Sequence, residues 1–159
     1  MRRDAWRLRL CQWKAHQLML LDESTACERT DDRKYGWEKV HASFHRSKRW
    51  SILPAFTTKG HIAWIIHHGS VTQAIFNDFV RYHVLPLTTP TIDGGPNSVL
   101  FLDNASVHKS EELQQMCDEA GVTLAFLPPY SCDYNPIETS FAVLKRWMKR
   151  RGHIVEEFN

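Results

Sequence analysis

Three carboxylates stand where acid chemistry could be assembled. Asp22 follows the apolar run Leu18-Met19-Leu20-Leu21, and Asp103 follows Ser98-Val99-Leu100-Phe101-Leu102. Glu138 comes one residue after Pro136-Ile137. Short apolar runs stopped by acid read as buried strands, and ligands in α/β sheets gather at strand carboxyl ends. If the two strands are parallel neighbours, Asp22 and Asp103 lie side by side. Adjacent carboxylates repel, and one tends to stay protonated unless a cation neutralises them. All-oxygen ligands select Mg²⁺ or Mn²⁺ over zinc. With Glu138 as a third acid, two ions about 3.5–4 Å apart can be held, the geometry of in-line displacement at phosphorus.

Each acid has a plainer role open to it. An aspartate after a strand is often a turn residue. Glu138 is the N3 residue of Asn135-x-x-Glu138, and spacing alone favours a capping box there. Asp133 suits a cap or a turn, Asn104 and His108 suit loop-backbone bonding, and His61, His67 and His68 sit on a strand-like run as structural or exposed residues.

The elements that must position these groups follow from periodicity. Trp6, Leu10 and Trp13 recur at helical spacing in residues 2–14, with Arg2, Arg3, Arg7 and Arg9 around them, an amphipathic helix packed on a domain. Residues 23–49 read as a long polar loop or a loop hiding one short strand. Trp50–Thr57 and His61–His68 form a hairpin turning at Thr57-Thr58-Lys59-Gly60, with Pro54 suggesting an edge or a bulge. Ser70 and Gln73 resemble a capping box for a helix that runs to about Leu85. Ser110 caps a helix opened by Glu111-Glu112 and closed by Gly121. Val122–Leu127 is a third buried strand, and Pro136 opens a last helix with Phe141, Leu144, Trp147 and Met148 on its apolar face. The order strand, hairpin, helix, strand, helix, strand, helix gives an α/β fold, a ribonuclease-H-like mixed sheet flanked by helices.

Composition agrees with one domain spanning 1–159. The 159 residues are 43% hydrophobic, 11% aromatic and 24% charged, which excludes disordered, collagen-like and coiled-coil chains. No run of 18 apolar residues exists to span a membrane, and Met1-Arg2-Arg3-Asp4 lacks a secretory apolar run. Cys11, Cys27, Cys117 and Cys132 match no zinc spacing and read as free thiols. The net charge of +2 is a weak argument for nucleic acid. Its distribution is more telling: Lys145, Arg146, Lys149, Arg150 and Arg151 crowd one helix end, and Arg46, Lys48 and Arg49 cluster before the hairpin. These could neutralise phosphates without reading sequence; a solvated helix face is the competing reading. The basic run also suits nuclear import.

Leu21-Asp22-Glu23-Ser24, Leu102-Asp103-Asn104-Ala105-x-x-His108 and Leu127-Pro128-Pro129-Tyr130-Ser131-x-Asp133-x-Asn135-Pro136-Ile137-Glu138 together resemble the mariner-like transposases, and more closely the DDE-superfamily endonuclease domains of fungal and other eukaryotic elements. Between Asp103 and Glu138 lie 34 residues, a spacing used in that family. The segment Glu28-Arg29-Thr30-Asp31-Asp32-Arg33-Lys34-Tyr35-Gly36-Trp37 is similar to the fungal branch. The resemblance implies a metal-binding triad of Asp22, Asp103 and Glu138, two Mg²⁺ or Mn²⁺ ions, and cleavage and joining of double-stranded DNA at transposon ends. It also implies a homodimer and a nuclear location. Three departures accompany it. No helix-turn-helix module precedes Asp22. Cys132 replaces the usual proline of the turn before Glu138, and Gly36-Trp37 continues as Glu38-Lys39-Val40-His41 rather than Ala-Pro. These departures also fit a second reading, a catalytically inactive DNA-binding remnant of a decayed element. A Holliday-junction resolvase is disfavoured by the Pro-Pro-Tyr-Ser and Asn-Pro-Ile-Glu segments.

Overall fold

In the computed structural model, the described residues are 3–27, 49–128 and 135–150. The chain runs α1 (Arg3–Leu10), β1 (Leu18–Leu21), β2 (Ser24–Cys27), β3 (Arg49–Thr57), β4 (Gly60–His68), α2 (Gln73–Phe79), β5 (Val99–Leu102), α3 (Glu111–Glu119), β6 (Thr123–Phe126) and α4 (Ile137–Arg150). Among the described residues the strands form one six-stranded mixed sheet. Its path is β2-β3-β1-β5-β6, with β4 paired along β3. The β1–β5 and β5–β6 pairs are parallel, and the β1–β3, β2–β3 and β3–β4 pairs are antiparallel.

Strand alternation sends successive side chains to opposite faces, and each face has its own core. Met19, Leu21, Leu53, Ala55, Leu100 and Leu102 meet Phe76 and Phe79 of α2 and Leu113, Met116 and Cys117 of α3. Leu20, Val99, Phe101 and Ala125 meet Trp6 of α1 and Ile137 and Phe141 of α4. Trp6 is wholly buried and stands edge-on to Phe101, with ring centroids 5.5 Å apart. The helical period seen in residues 2–14 therefore marks a packed helix, although the helix itself stops at Leu10.

Several local expectations hold. The β3–β4 hairpin turns at Thr58-Lys59 between the paired Thr57 and Gly60. The Thr57 hydroxyl accepts from the Lys59 N–H at 3.2 Å, and Gly60 takes a positive φ of 99°. The Ser110 hydroxyl caps α3 by accepting from the Leu113 N–H at 3.1 Å. Gly121, at φ 66°, ends α3 in a Schellman turn: Gly121 N–H donates to Asp118 O and Val122 N–H to Cys117 O.

Three expectations are corrected. The cap of α2 is Thr72, whose hydroxyl accepts from Ile75 N–H, and not Ser70; Gly69 to Val71 are used in turning from β4 back onto the sheet, where Val71 is buried. The helix expected as far as Leu85 is regular only to Phe79; it widens into a π turn over Val80–Val84 and tightens to a 3-10 turn over Leu85–Leu87, where Pro86 cannot supply the next N–H. Pro54 is neither on an edge strand nor at the bulge. It pairs with Trp64 inside β3, and the irregularity lies between Ala55 and Phe56. A proline is tolerated there because Leu53 and Pro54 fall opposite the break between β1 and β2, where the ladder has no pairs to make. Of the two readings of 23–49, the described part bears out the one with a short strand, β2. Residues 28–48, including Arg46, Lys48 and the Gly36-Trp37 motif, lie outside the described residues, as do Cys132 and Asp133.

Candidate active site

The break between β1 and β2 is where Asp22 stands, the first residue after β1. Asp103 is the first residue after β5. The parallel register Leu18↔Val99, Met19↔Leu100, Leu20↔Phe101 carries both chains in step to these two aspartates, so they leave neighbouring strands side by side at the sheet's carboxyl end. Glu23, the next acid, is turned elsewhere: its Oε1 accepts from the Ser51 hydroxyl at 2.7 Å.

Each aspartate is held by a side-chain donor from a different helical layer. Asn135, just ahead of α4, donates through Nδ2 to Asp22 Oδ2 at 2.7 Å, while Glu23 N–H donates to Asp22 Oδ1 at 2.8 Å. His108, in a 3-10 turn at Ser106–His108, lies 2.6 Å through Nδ1 from Asp103 Oδ1, which also accepts from Ala105 N–H at 2.9 Å. A carboxylate only accepts, so Nδ1 carries the hydrogen in this contact. His108 is buried and packs on the Phe76 ring of α2 at 4.4 Å.

The two carboxyls are thereby driven apart in acidity. Burial pushes Asp22 up to about 6, the charges of Asp103 and Glu138 push the same way, and the Glu23 N–H opposes them. The His108 hydrogen bond holds Asp103 below its ordinary value despite partial burial. Glu138 is exposed, one position inside α4, and close enough for its charge to act on Asp22.

The capping-box role for Glu138 is not what forms. The Asn135 side chain is committed to Asp22, and among the described residues the Glu138 carboxylate accepts no hydrogen bond. Asn104 does serve loop backbone, donating to Leu127 O at 3.0 Å, whereas His108 serves Asp103 instead. On β4, His61 and His68 are exposed and His67 is partly buried.

A divalent cation fits this donor chemistry. All three candidate ligands are hard oxygens, and Asp22 is under like-charge pressure that a cation relieves. Among the described residues, no three His, Cys, Asp or Glu side chains are yet drawn together closely enough to share one ion.

The basic candidates divide. Arg49 is exposed at the start of β3; on α4, Arg146 and Arg150 are exposed and Lys145 is half-buried. Arg46, Lys48 and Arg151, and the side chain of Lys149, lie outside the described residues. Among the described residues, no helix is long and apolar enough to cross a membrane.

Sequence reasoning missed His108 and Asn135 as partners of the acids. The signal for His108 was its place five residues after Asp103. For Asn135 it was a polar side chain three residues before Glu138 that the chain buries.

No curated protein sequence matches the chain. Among solved structures, it is similar to the Mos1 transposase paired-end complex with the left transposon end, at TM-score 0.69 and 15% identity over 91% of this chain and 46% of that one. It is also similar to the Mos1 transposase catalytic domain solved with raltegravir and Mg, at 0.62 and 14% over 98% of this chain and 75% of that one. The Mos1 mariner paired-end complex with Mn gives 0.63 and 14% over 92% of this chain and 51% of that one. The chain thus spans about half the length of the transposase chains in those paired-end complexes. These likenesses establish the ribonuclease-H-like fold, a mixed sheet between helical layers. Residues 17–157, which hold all three acids, match the family model for DDE superfamily endonucleases, and the chain belongs to that family.

Proposed function

We propose that this chain is the catalytic domain of a transposase that cleaves and rejoins double-stranded DNA at transposon ends, with Asp22, Asp103 and Glu138 as ligands for two Mg²⁺ or Mn²⁺ ions. The observation that carries the reading is the parallel β1–β5 pairing, which sets Asp22 beside Asp103 while the Glu138 charge reaches Asp22. Membership of the endonuclease family and the transposon ends held by the Mos1 structures support DNA as the substrate. Bound cations of this kind lower the pKa of an attacking oxygen and stabilise a leaving one. The protein's part is positional. Asp103 is kept ionised and fixed by His108 and Ala105 N–H, Asp22 is fixed by Asn135 and Glu23 N–H, and Glu138 approaches from the first turn of α4. Pre-placed charge beside a phosphodiester is the main source of rate in such chemistry. Arg49, Lys145, Arg146 and Arg150, with Arg46, Lys48, Lys149 and Arg151, supply phosphate contacts, and the basic end of α4 serves nuclear entry. Pairing of two copies on two DNA ends belongs to the same proposal.

Supercoiled plasmid with Mn²⁺ tests this directly. Wild type nicks it and Asp103→Asn does not, with similar DNA binding by both. Equal nicking by the two proteins removes Asp103 from the mechanism. The second reading, a remnant that binds DNA without cutting it, is favoured by the still-separate ligands of the described residues. It requires DNA binding with no nicking by either protein.

A further inference from the structure

Asn135 occupies a position that its place before a helix does not require. It is 5% exposed. Its backbone oxygen accepts the Glu138 N–H at 3.2 Å, so it forms the start of α4. A residue in that role ordinarily turns its side chain back on the helix's own first amides. Here the side chain reaches across 113 positions of sequence to Asp22 Oδ2. One residue therefore grips the first acid with its side chain and the helix bearing the third acid with its backbone. Its Oδ1 is buried and has no hydrogen-bond partner among the described residues, a state that native proteins rarely keep without a reason.

We infer that Asn135 is a positioning residue that sets the Asp22 carboxylate against the N-terminus of α4, so that Asp22 and Glu138 are held as a pair to receive a divalent cation. This rests on the metal-binding reading above. A side chain that orients a ligand without itself ligating typically changes metal affinity 10–100-fold when removed. The unpartnered Oδ1 follows from the same geometry: the amide has been placed for Asp22.

The test uses the whole chain and Mn²⁺ alone, followed by electron paramagnetic resonance at a temperature well below unfolding. The informative variant is Asn135→Ser. Serine is a good N-cap, so α4 keeps its start, but its hydroxyl is too short to reach Asp22. Asn135→Ala is the companion. Both are expected to bind Mn²⁺ about 10–100-fold more weakly than wild type. Asp22→Asn and Asp103→Asn serve as the reference for lost ligands. A second arm, without metal, measures folding equilibria for Asn135→Ala, Asp22→Ala and the double variant. The effect of removing Asn135 should be roughly threefold or more larger when Asp22 is present. Wild-type Mn²⁺ affinity in Asn135→Ser overturns the inference and leaves the metal reading intact. The same holds if the metal-free effects are independent. Failure of wild type to bind Mn²⁺ at all overturns the metal reading, and this inference with it.

Discussion

Replacing Asp22 by asparagine should stabilise the metal-free protein. Asp22 is an acid whose folded pKa, about 6, lies above its ordinary 3.8. The native state therefore holds the proton more tightly than the unfolded chain. The sign follows from linkage: this group's favourable contribution is complete below about pH 4 and is lost as pH rises through about 6. Above that, an ionised Asp22 opposes folding by roughly 2–3 kcal/mol, the lower end allowing for its partial exposure. Asparagine has no charge to desolvate. Its Oδ1 can accept the Glu23 N–H as before, and its amide can donate to the unpartnered Oδ1 of Asn135 once that amide reverses. The assay is urea unfolding in EDTA at pH 4, 6 and 7.5, followed by tryptophan fluorescence. The expected result is a stability gain for Asp22→Asn of roughly 2–3 kcal/mol at pH 7.5, shrinking towards zero at pH 4. Mg²⁺ or Mn²⁺ should then raise the midpoint of wild type and not of the variant. If Asp22→Asn is no more stable than wild type at pH 7.5, the desolvation argument for Asp22 is refuted.

Other consequences can be checked separately. His108→Ala should lower plasmid nicking by about 10–100-fold, because Asp103 loses the partner that fixes it, and an unchanged rate would show that Ala105 N–H suffices. Neutralising Arg146 and Arg150 together should weaken DNA binding alike on all sequences and reduce the salt dependence by about two phosphate contacts; an unchanged slope measured by fluorescence anisotropy would make that helix face merely solvated. At pH 7.5 a thiol reagent should modify exposed Cys11 and spare Cys117, which is buried and pushed up to about 11, with mass spectrometry as the readout. Leu100→Ala should destabilise by about 2–5 kcal/mol in urea, since the side chain is wholly enclosed at the centre of the sheet.

The acids and their strands were legible because burial leaves a mark on composition. Leu18–Leu21 and Val99–Leu102 are apolar on both faces, which only a central strand covered on two sides needs, and an aspartate that stops such a run stands out. Trp6 was readable from its helical neighbours. The partners of the acids were not. Asn135 satisfies a contact made across the fold and His108 one made five residues back, and local spacing offered both equally good duties: capping for Asn135, backbone bonding for His108. Likewise Pro54 reads as an edge marker by its chemistry, yet the missing N–H is accommodated by the break in the partner strands, which only the register reveals. The cap of α2 went to Thr72 because the turn out of β4 takes three residues, a length that no propensity encodes.

The pairing of Leu18 with Val99 has a consequence for how the molecule comes into being. The centre of the sheet joins positions separated by about half of the chain, and closing a loop of that length carries an entropic term of about 4 kcal/mol before any contact offsets it. Non-local closures of this sort are late and slow events in folding. The hairpin of β3 and β4 is local and can form early, but by itself it brings no acid to another. During synthesis, Asp22 leaves the ribosome long before Asp103, and Asn135 follows later still. On the proposal above, the site is therefore incomplete until the segment bearing Asn135 and Glu138 has been made, and a chain cut short before α4 would lack its third acid.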